Sequence, residues 1–338
     1  GDGAAVEDSA PVITGSSTEN TVTINAEKDQ TASVTLSGAN IDVSGKGKAA
    51  VSTTGEGNVS IELDGENTLK SATNHAGLEK NNGGSLTIAD EDKNGKLTAE
   101  GGIYGAGIGG GYEGEGSNIA ITGGDVEATG GIGGAGIGGG KNGAGSSIAI
   151  TGGEVKATGG KYGAGVGGGL SGNGNHITIT GGEVKATGGL NGAGIGGGLW
   201  GKGKDITISG DAQLKVQGGV GDYFDGPGAG IGDGGSRPKE STGGNPIPGA
   251  EVEPDTSGLT TNGSIEYYAP GADMEKDKPE KTTVGTLPPQ EKPVEPIEPA
   301  EPEQPEAERG MDAPLYRVTA KDGKDIAYTA EQKGGVLT

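Results

Sequence analysis

The sequence predicts an all-β fold: a right-handed parallel β-helix (solenoid) of about seven coils with 29-residue repeats, followed by a Pro/Glu-rich linker. Three observations lead to this prediction. A 13-residue block recurs every 29 residues, glycine supplies 77 of the 338 residues, and aromatic residues make up only 3%. Large side chains are too few for an ordinary globular core, so small residues must stack in a repetitive way.

The repeat contains two recurring blocks, both spaced by 29 residues. The first block reads IAITGGDVEATGG and starts at Ile119, Ile148, Ile177 and, more loosely, Ile206. The second reads GAG(I/V)GGG and starts at Gly105, Gly134, Gly163 and Gly192, with a degenerate copy at Gly228. Short segments of alternating apolar residues, each bounded by a glycine turn, predict three strands per coil.

The apolar positions form three columns that continue towards the N-terminus. In the first column we align Val34/Leu36 with Val59/Ile61, and in the second column the coil of Leu69 supplies only that one apolar residue. Inward Ile, Val and Ala side chains of one coil then stack on the next, because no coil can bury its apolar face alone. Crossovers between parallel strands are nearly always right-handed, which predicts the handedness of the coil.

Composition divides the chain into four parts. Residues 1–32 are predicted to form an N-terminal segment and cap, and residues 33–235 the β-helix. Residues 236–310 hold 13 of the 16 prolines and are expected to be a largely extended Pro/Glu-rich linker. Residues 311–338 resemble the start of a truncated C-terminal module.

Charge and residue usage exclude several classes of protein. The chain has 47 acidic against 25 basic residues, a net charge of −22, which disfavours nucleic-acid binding. No apolar run approaches the length of a membrane span. There is no cysteine, hence no disulfide framework and no thiolate metal site.

The candidate ligand-binding residues are four aromatic side chains beside the glycine block: Tyr104, Tyr112, Tyr162 and Trp200. Exposed rings can stack on the C–H faces of sugars, although they can also simply cover turn edges. The outward positions of the third column are glycines, such as Gly136 and Gly138. They have two interpretations, a bare backbone floor for a flat ligand or a requirement of tight turns for glycine.

A short acidic segment is the candidate metal site. Asp90, Asp92 and Asn94, followed by Gly95, match the first half of a calcium-binding loop, so Ca²⁺ is the candidate cofactor. The alternative is a long Asn-Gly turn. Three acids near a later turn are a weaker candidate: Asp222, Asp225 and Asp233. A row of carboxylates, Asp125, Glu154 and Glu183, is a further cation candidate that neighbouring lysines can neutralise.

Catalysis is not expected. Lyases and hydrolases need paired carboxylates, a histidine or a basic residue held close together. All three arginines lie outside the predicted coils, and neither His75 nor His176 has an evident partner in the sequence.

At this point the residues resemble a known family. The segments 58–69, 75–78 and 85–88, with the two repeated blocks, resemble the right-handed β-helix carbohydrate-binding domain family of cellulolytic clostridia. They are also similar to glycine-rich repeat surface proteins of Firmicutes. The resemblance covers residues 33–235 and implies non-catalytic binding of acidic polysaccharide with calcium associated. The Pro/Glu-rich segment is similar to the wall-spanning stalks of Gram-positive proteins.

The sequence therefore predicts a non-enzymatic, extracellular protein of the cell surface or cell wall. Its partner would be a polysaccharide or host glycan, with no nucleic acid and no membrane span in this segment. The alternative is a purely structural adhesin or stalk without a glycan site. Polysaccharide lyase and ice-binding protein are minor alternatives, the latter because Thr122, Thr151 and Thr180 form a regular outward array.

Overall fold

The computed structural model describes residues 11–238 and 245–286, together with the backbone of residues 332–333 and 336–337. These residues form strands and turns, with no helix among them long and apolar enough to cross a membrane. The strands stack in parallel, coil on coil, with partners 29 residues apart in the central coils. The predicted fold class is therefore confirmed: an all-β parallel solenoid of about seven coils.

The strands are short and cover most of each coil. In chain order they are β1 (Val12–Ser17), β2 (Val22–Ala26), β3 (Thr31–Asp42), β4 (Val51–Gly55), β5 (Asn58–Asp64), β6 (Glu66–Lys70), β7 (Leu78–Lys80), β8 (Leu86–Ala89), β9 (Lys96–Glu100), β10 (Ile108–Gly109), β11 (Gly116–Ile121), β12 (Asp125–Thr129), β13 (Ile137–Gly138), β14 (Gly145–Ile150), β15 (Glu154–Thr158), β16 (Val166–Gly167), β17 (Gly174–Ile179), β18 (Glu183–Thr187), β19 (Ile195–Gly196), β20 (Gly203–Ile208), β21 (Gln213–Gln217), β22 (Ile231–Gly232), β23 (Ser264–Tyr268), β24 (Lys281–Val284), β25 (Gln332–Lys333) and β26 (Val336–Leu337).

Each coil contributes one strand to each of three faces. Face 1 contains β3, β5, β8, β11, β14, β17 and β20. Face 2 contains the second half of β3 and then β6, β9, β12, β15, β18 and β21. Face 3 contains β2, β4, β7, β10, β13, β16, β19 and β22. The long strand β3 turns from face 1 to face 2, since its first half pairs with β5 and its second half with β6.

Identical side chains stack along the axis and form the core. On face 1, Ile119, Ile148, Ile177 and Ile206 pair one with the next, and all are buried. On face 2 the equivalent column is Val126, Val155, Val184 and Leu214. Burying each such side chain stabilises the fold by roughly 1.5–3 kcal/mol, and this burial depends on the neighbouring coils.

The first coils have a different register from the one the columns predicted. Val34 pairs with Ile61, and Leu36 pairs with Leu63, so the first column is shifted by two residues there. On face 2, Asn67 takes the inward position that Leu97 holds one coil later. The Asn67 side chain is buried and accepts a hydrogen bond from Ala39 N at 2.9 Å, which explains why this coil supplied one apolar residue fewer.

Face 3 is built from very short strands, and the glycines in and beside these strands allow successive coils to approach closely. Gly138 has φ +132° and is buried, and a Cβ atom there would overlap the carbonyl oxygen of Gly167 in the next coil. A Cβ on Gly136 would lie 2.6 Å from the carbonyl oxygen of Gly165. These glycines are therefore needed for close approach between coils. The alternative interpretation, an exposed backbone floor for a ligand, is wrong because the residues are buried.

Both ends of the solenoid carry additional strands. At the N-terminal end, β1 pairs with β3 and β2 pairs with β4, so residues 12–26 continue the sheets. At the C-terminal end, β23 pairs in parallel with β21, and β24 adds to it in antiparallel fashion. Residues 245–286, assigned to the linker by their proline content, thus pack on the last coil through buried Leu259 and Ile265.

Residues 239–244 and 287–310 of the predicted linker lie outside the described residues, as does the predicted module at residues 311–338 apart from the backbone of residues 332–333 and 336–337. The chain divides into two units, residues 1–289 and 290–338. In the second unit, β25 and β26 form an antiparallel pair.

The glycine requirement on face 3 gives the first prediction. Gly138→Ala should destabilise the solenoid by at least about 2 kcal/mol, through overlap with the next coil and a positive φ. Gly45→Ala is the matched control, because a Cβ there has no atom within 4 Å and Gly45 has no positive φ. Denaturant unfolding measures both variants. Equal stability of the two would contradict this account of the glycine block.

The C-terminal cap gives a prediction for high pH. Burial raises the pKa of the half-buried Tyr267 to about 12, and the Glu253 and Glu251 carboxylates add to the effect. Since an unfolded tyrosine ionises near pH 10, the folded state alone retains this proton between about pH 10 and 12. The stability contributed by the neutral side chain is complete below pH 10 and is lost as the pH rises towards 12. Tyr267→Phe should make this decline shallower in denaturant melts, and an unchanged slope would refute it.

Candidate functional site

Two rows of glycine-rich turns flank face 3 and together form one surface, which we call the turn wall. In the central coils the first turns are residues 101–105, 130–134, 159–163 and 188–192, and the second turns are residues 110–115, 139–144, 168–173 and 197–202. The two rows are joined by backbone hydrogen bonds. Lys141 N donates to Tyr104 O at 2.8 Å, and Leu199 N donates to Tyr162 O at 2.9 Å. The wall is therefore continuous and fixed by the coil stacking.

The exposed apolar side chains of the protein are concentrated on this wall and on the loop that extends it. Of the ten large hydrophobic residues that are exposed in the described ranges, seven lie here: Ile103, Tyr112, Ile132, Trp200, Val220, Tyr223 and Phe224. Tyr104 and Tyr162 are half-buried beside them. Exposed apolar side chains gathered on one surface make that surface the candidate for an interaction. The four aromatic residues predicted from the sequence thus share one surface.

The first aromatic cluster lies in the coil that contains β10. The rings of Tyr104 and Tyr112 are 5.7 Å apart between centroids, tilted by 49°. The ammonium group of Lys141 lies 4.4 Å from the Tyr104 ring centroid and 5.8 Å from that of Tyr112. Tyr104 has φ +77°, a backbone conformation that costs a bulky residue roughly 1–3 kcal/mol, and Asn74 and Asn191 adopt it at the equivalent turn position of other coils.

Tyr162 lies two coils further along the wall. Coils are about 4.8 Å apart, so Tyr104 and Tyr162 are separated by roughly 10 Å along the axis. Lys161 Nζ lies 5.0 Å from the Tyr162 ring centroid. The second position thus repeats the combination of a tyrosine ring and a lysine found at Tyr104.

The third cluster surrounds Trp200 at the C-terminal end of the wall. The indole Nε1 of Trp200 donates a hydrogen bond to Asp225 Oδ1 at 2.9 Å. Arg237 lies over two rings, with its guanidinium carbon 5.6 Å from the Trp200 centroid and 5.4 Å from that of Phe224. Tyr223 contacts Phe224 edge to face, with centroids 5.1 Å apart.

Sequence reasoning missed Phe224 and the contact of Arg237 with Trp200, and it singled out Asp225 only as part of a weak cation candidate. The signal was a spacing: the last glycine block starts at Gly228, 36 residues after Gly192 instead of 29. The seven extra residues form the loop that carries Tyr223, Phe224 and Asp225. The sequence predicted that Arg237 lies outside the coils. In the structure the chain folds back after the last coil, so that the Arg237 side chain lies over the Trp200 ring.

The segment proposed to bind calcium is a closed turn in the structure. Asp90 Oδ1 accepts a hydrogen bond from Asn94 N at 3.2 Å, and Asp90 Oδ2 accepts one from Gly95 N at 3.1 Å. Asp92 and Asn94 are exposed. Within residues 11–238 and 245–286, no group of three or more His, Cys, Asp or Glu side chains is arranged to hold a metal ion.

The carboxylate row on face 2 is partly neutralised. Asp125 pairs with Lys96 at 2.9 Å. Further along the face, Lys185 and Lys215 both pair with Glu275, at 2.9 and 3.3 Å, and together they lower the pKa of this carboxyl group. Basic and acidic side chains thus lie close together on this face.

Both histidines have acidic partners, contrary to the expectation from sequence. His75 Nδ1 lies 2.8 Å from Glu79 Oε2, and His176 Nε2 lies 3.4 Å from Asp205 Oδ2. The Glu79 carboxylate also accepts hydrogen bonds from Ala76 N and from the Asn81 side chain. Glu79 is buried and spans two turns, so its bonds hold the local backbone.

Comparison with known families agrees with the solenoid. The family model described as a beta helix repeat matches residues 93–112, 119–141, 148–170 and 177–199, which are four successive coils. The match and the stacked coils together support a right-handed β-helix. No curated protein and no solved structure matched the chain significantly.

The turn at Asp90 gives a prediction that separates a closed turn from a cation site. Asp90→Ala removes two hydrogen bonds and should cost about 1 kcal/mol, equally in calcium and in EDTA. Asp92→Ala, at an exposed side chain, should change stability by less than about 0.5 kcal/mol. Thermal melts of both variants with calcium and with EDTA measure this. A loss at Asp90 seen only in the presence of calcium would instead support the cation site.

Proposed function

We propose that the β-helix is a non-catalytic carbohydrate-binding module of an extracellular protein, and that the turn wall is its binding surface. The observation that carries this proposal is the concentration of exposed aromatic side chains on one wall, in a chain with only one Trp and one Phe. An aromatic ring offers an apolar face to the C–H side of a sugar, while a phenol or indole group can bond its hydroxyls.

The spacing of the clusters favours a linear polymer. Rings lie at the coils of Tyr104 and Tyr162 and at the loop beyond Trp200, so a ligand aligned with the axis contacts several of them. The separation of roughly 10 Å between Tyr104 and Tyr162 follows from two coil spacings. A short ligand would reach one cluster, whereas an extended polysaccharide or host glycan chain would reach all three and gain from their combined contacts.

The charges on the wall favour an acidic polysaccharide. Each cluster carries one cation over a ring: Lys141, Lys161 and Arg237. These cations are on the surface of a protein whose net charge is −22, where acidic side chains are far more common. A ligand with negative groups along its length is attracted to these three cations.

The non-catalytic part of the proposal is supported by the histidines. The Glu79 partner of His75 is already bonded to the surrounding backbone, and the His176–Asp205 pair is exposed on another face. Calcium at Asp90 and Asp92 stays a prediction of the sequence. The location at the cell surface or cell wall is proposed from the resemblance of the Pro/Glu-rich segment to stalks.

A glycan array tests the proposal, and the wall and a control surface are changed separately. The variant Tyr112→Ala/Tyr162→Ala should weaken binding about tenfold or more, since it removes two stacking rings. Val284→Ala is the control, because Val284 is also an exposed apolar side chain but lies on β24. The array contains polygalacturonate, cellulose and mucin glycans, with calcium and with EDTA.

The outcomes separate the proposed function from its competitor. Loss of binding in the tyrosine variant but not in Val284→Ala supports the turn wall. Binding that survives both changes would place the site elsewhere. If the unmodified protein binds no glycan on the array, the purely structural adhesin or stalk is favoured.

A further inference from the structure

The C-terminal end of the turn wall contains a buried carboxylate that holds two exposed groups. The Asp225 side chain is only 3% exposed. Its Oδ1 accepts from Trp200 Nε1, and its Oδ2 lies 3.3 Å from Arg237 Nε. A carboxylate this deeply buried requires such partners, because an unpaired buried charge is strongly unfavourable. Asp225 thus fixes the position of both an indole and a guanidinium group.

Hydrogen bonds from a buried side chain fix the backbone around this carboxylate. Asn191 is fully buried, and its Nδ2 donates to the carbonyl oxygens of Asp225 and Gly226 at 2.8 and 2.9 Å. The backbone beside Arg237 is held as well, since Ser236 and Ile247 exchange two hydrogen bonds of 2.9 Å. The cluster is therefore assembled before any ligand arrives, which lowers the entropic cost of binding.

Arg237 is the only arginine within the described residues, and its side chain is 59% exposed. The contact with Asp225 uses Nε. The two terminal nitrogens make no hydrogen bond to any residue in the ranges 11–238 and 245–286. The guanidinium lies over the rings of Trp200 and Phe224, and more than half of the side-chain surface is exposed. Two parallel N–H donors on a fixed plane match the two oxygens of an anionic group.

We propose that Arg237 is the residue that recognises the anionic group of the ligand. An acidic sugar ring stacks beside Trp200 and Phe224 and places its anionic group on the terminal nitrogens of Arg237. Asp225 acts as a positioning residue. This inference rests on the proposed carbohydrate-binding function, and it assigns the charge specificity to one site instead of to the wall as a whole or to a bridging cation.

The geometry explains why Arg237 differs from the lysines of the wall. Lys141 and Lys161 lie over tyrosine rings, but neither is anchored by a buried carboxylate. A lysine ammonium is a strongly hydrated point charge on a flexible chain, whereas guanidinium is planar and offers a fixed pair of donors. The lysines therefore attract an acidic polymer, and Arg237 selects the anionic group.

The experiment is a fluorescence titration, because Trp200 is the single tryptophan of the chain. The intact protein is titrated in EDTA with an oligogalacturonate, with its methyl ester, and with a sulfated neutral oligosaccharide. Arg237→Gln and Arg237→Lys are compared with Lys161→Gln, which removes one charge from the same wall. Thermal melts confirm that each variant is folded, and a second affinity measurement by calorimetry covers variants whose fluorescence changes.

We expect the unmodified protein to bind the anionic oligosaccharides at least about tenfold more tightly than the methyl ester, the size typical of a charge-assisted bond. Arg237→Gln should abolish that preference and leave binding of the ester nearly unchanged. Arg237→Lys should retain only a minor part of it, and Lys161→Gln should reduce affinity less than about fivefold. The relative affinities of the uronate and the sulfated probe identify which anionic group is read.

The opposite results are distinguishable. If the unmodified protein binds none of the three probes, the proposed carbohydrate function itself fails. If it binds them but without preference for charge, or if Arg237→Gln weakens all three equally, the assignment of Arg237 is overturned while carbohydrate binding stands. An equal loss in Lys161→Gln and Arg237→Gln would mean that net charge, and not the guanidinium geometry, provides the preference.

Discussion

The close approach of successive coils is the constraint on which the rest of the structure depends. Every coil donates backbone hydrogen bonds to the next, and on face 3 and in the turns the carbonyl groups of one coil lie where the Cβ of the next would be. Only glycine fits at such positions without displacing a neighbour. The glycine content of the chain is thus a consequence of stacking, and it allows a core of medium-sized side chains to be continuous from coil to coil.

The same constraint determines where the surface can vary. Most inward positions are apolar, and most turn glycines have a carbonyl group of the neighbouring coil where a Cβ atom would lie. The positions in the turns that can vary are the single residues or pairs of residues between glycines. Examples are the positions of Tyr104, Lys141, Tyr162 and Trp200. They repeat at the coil spacing and face outward on one wall. An aromatic surface therefore develops there without disturbing the core, and the extended loop before Gly228 adds a deeper cluster to it.

The sequence was sufficient for the repeat, the three columns and the fold class, because the core signal is periodic and each coil obeys the same rule. It also identified the four aromatic residues of the wall, since they stand out in a chain so poor in rings. It was insufficient on face 1 of the first coils, where the register differs by two residues, and at Asn67, where a buried amide replaces an apolar side chain. It also missed the contact between Arg237 and Asp225, because that contact depends on an irregular loop and on a later segment of the chain, and no periodic pattern encodes it. The proline content of residues 245–286 predicted an extended linker, but one strand of this segment pairs with β21 and caps the last coil.

The clusters of the turn wall differ from coil to coil, and this has a consequence for any polymer that lies along it. A solenoid with the same ring in every coil would accept a polymer in many equivalent alignments, each shifted by one coil, and would gain the entropy of those alternatives. Here the tyrosine pair, the single tyrosine and the tryptophan–arginine cluster occur once each and in a fixed order. One alignment then satisfies all three, and the reversed chain does not. A polysaccharide bound there as proposed would therefore be held in one direction only, with its reducing end at a fixed end of the wall.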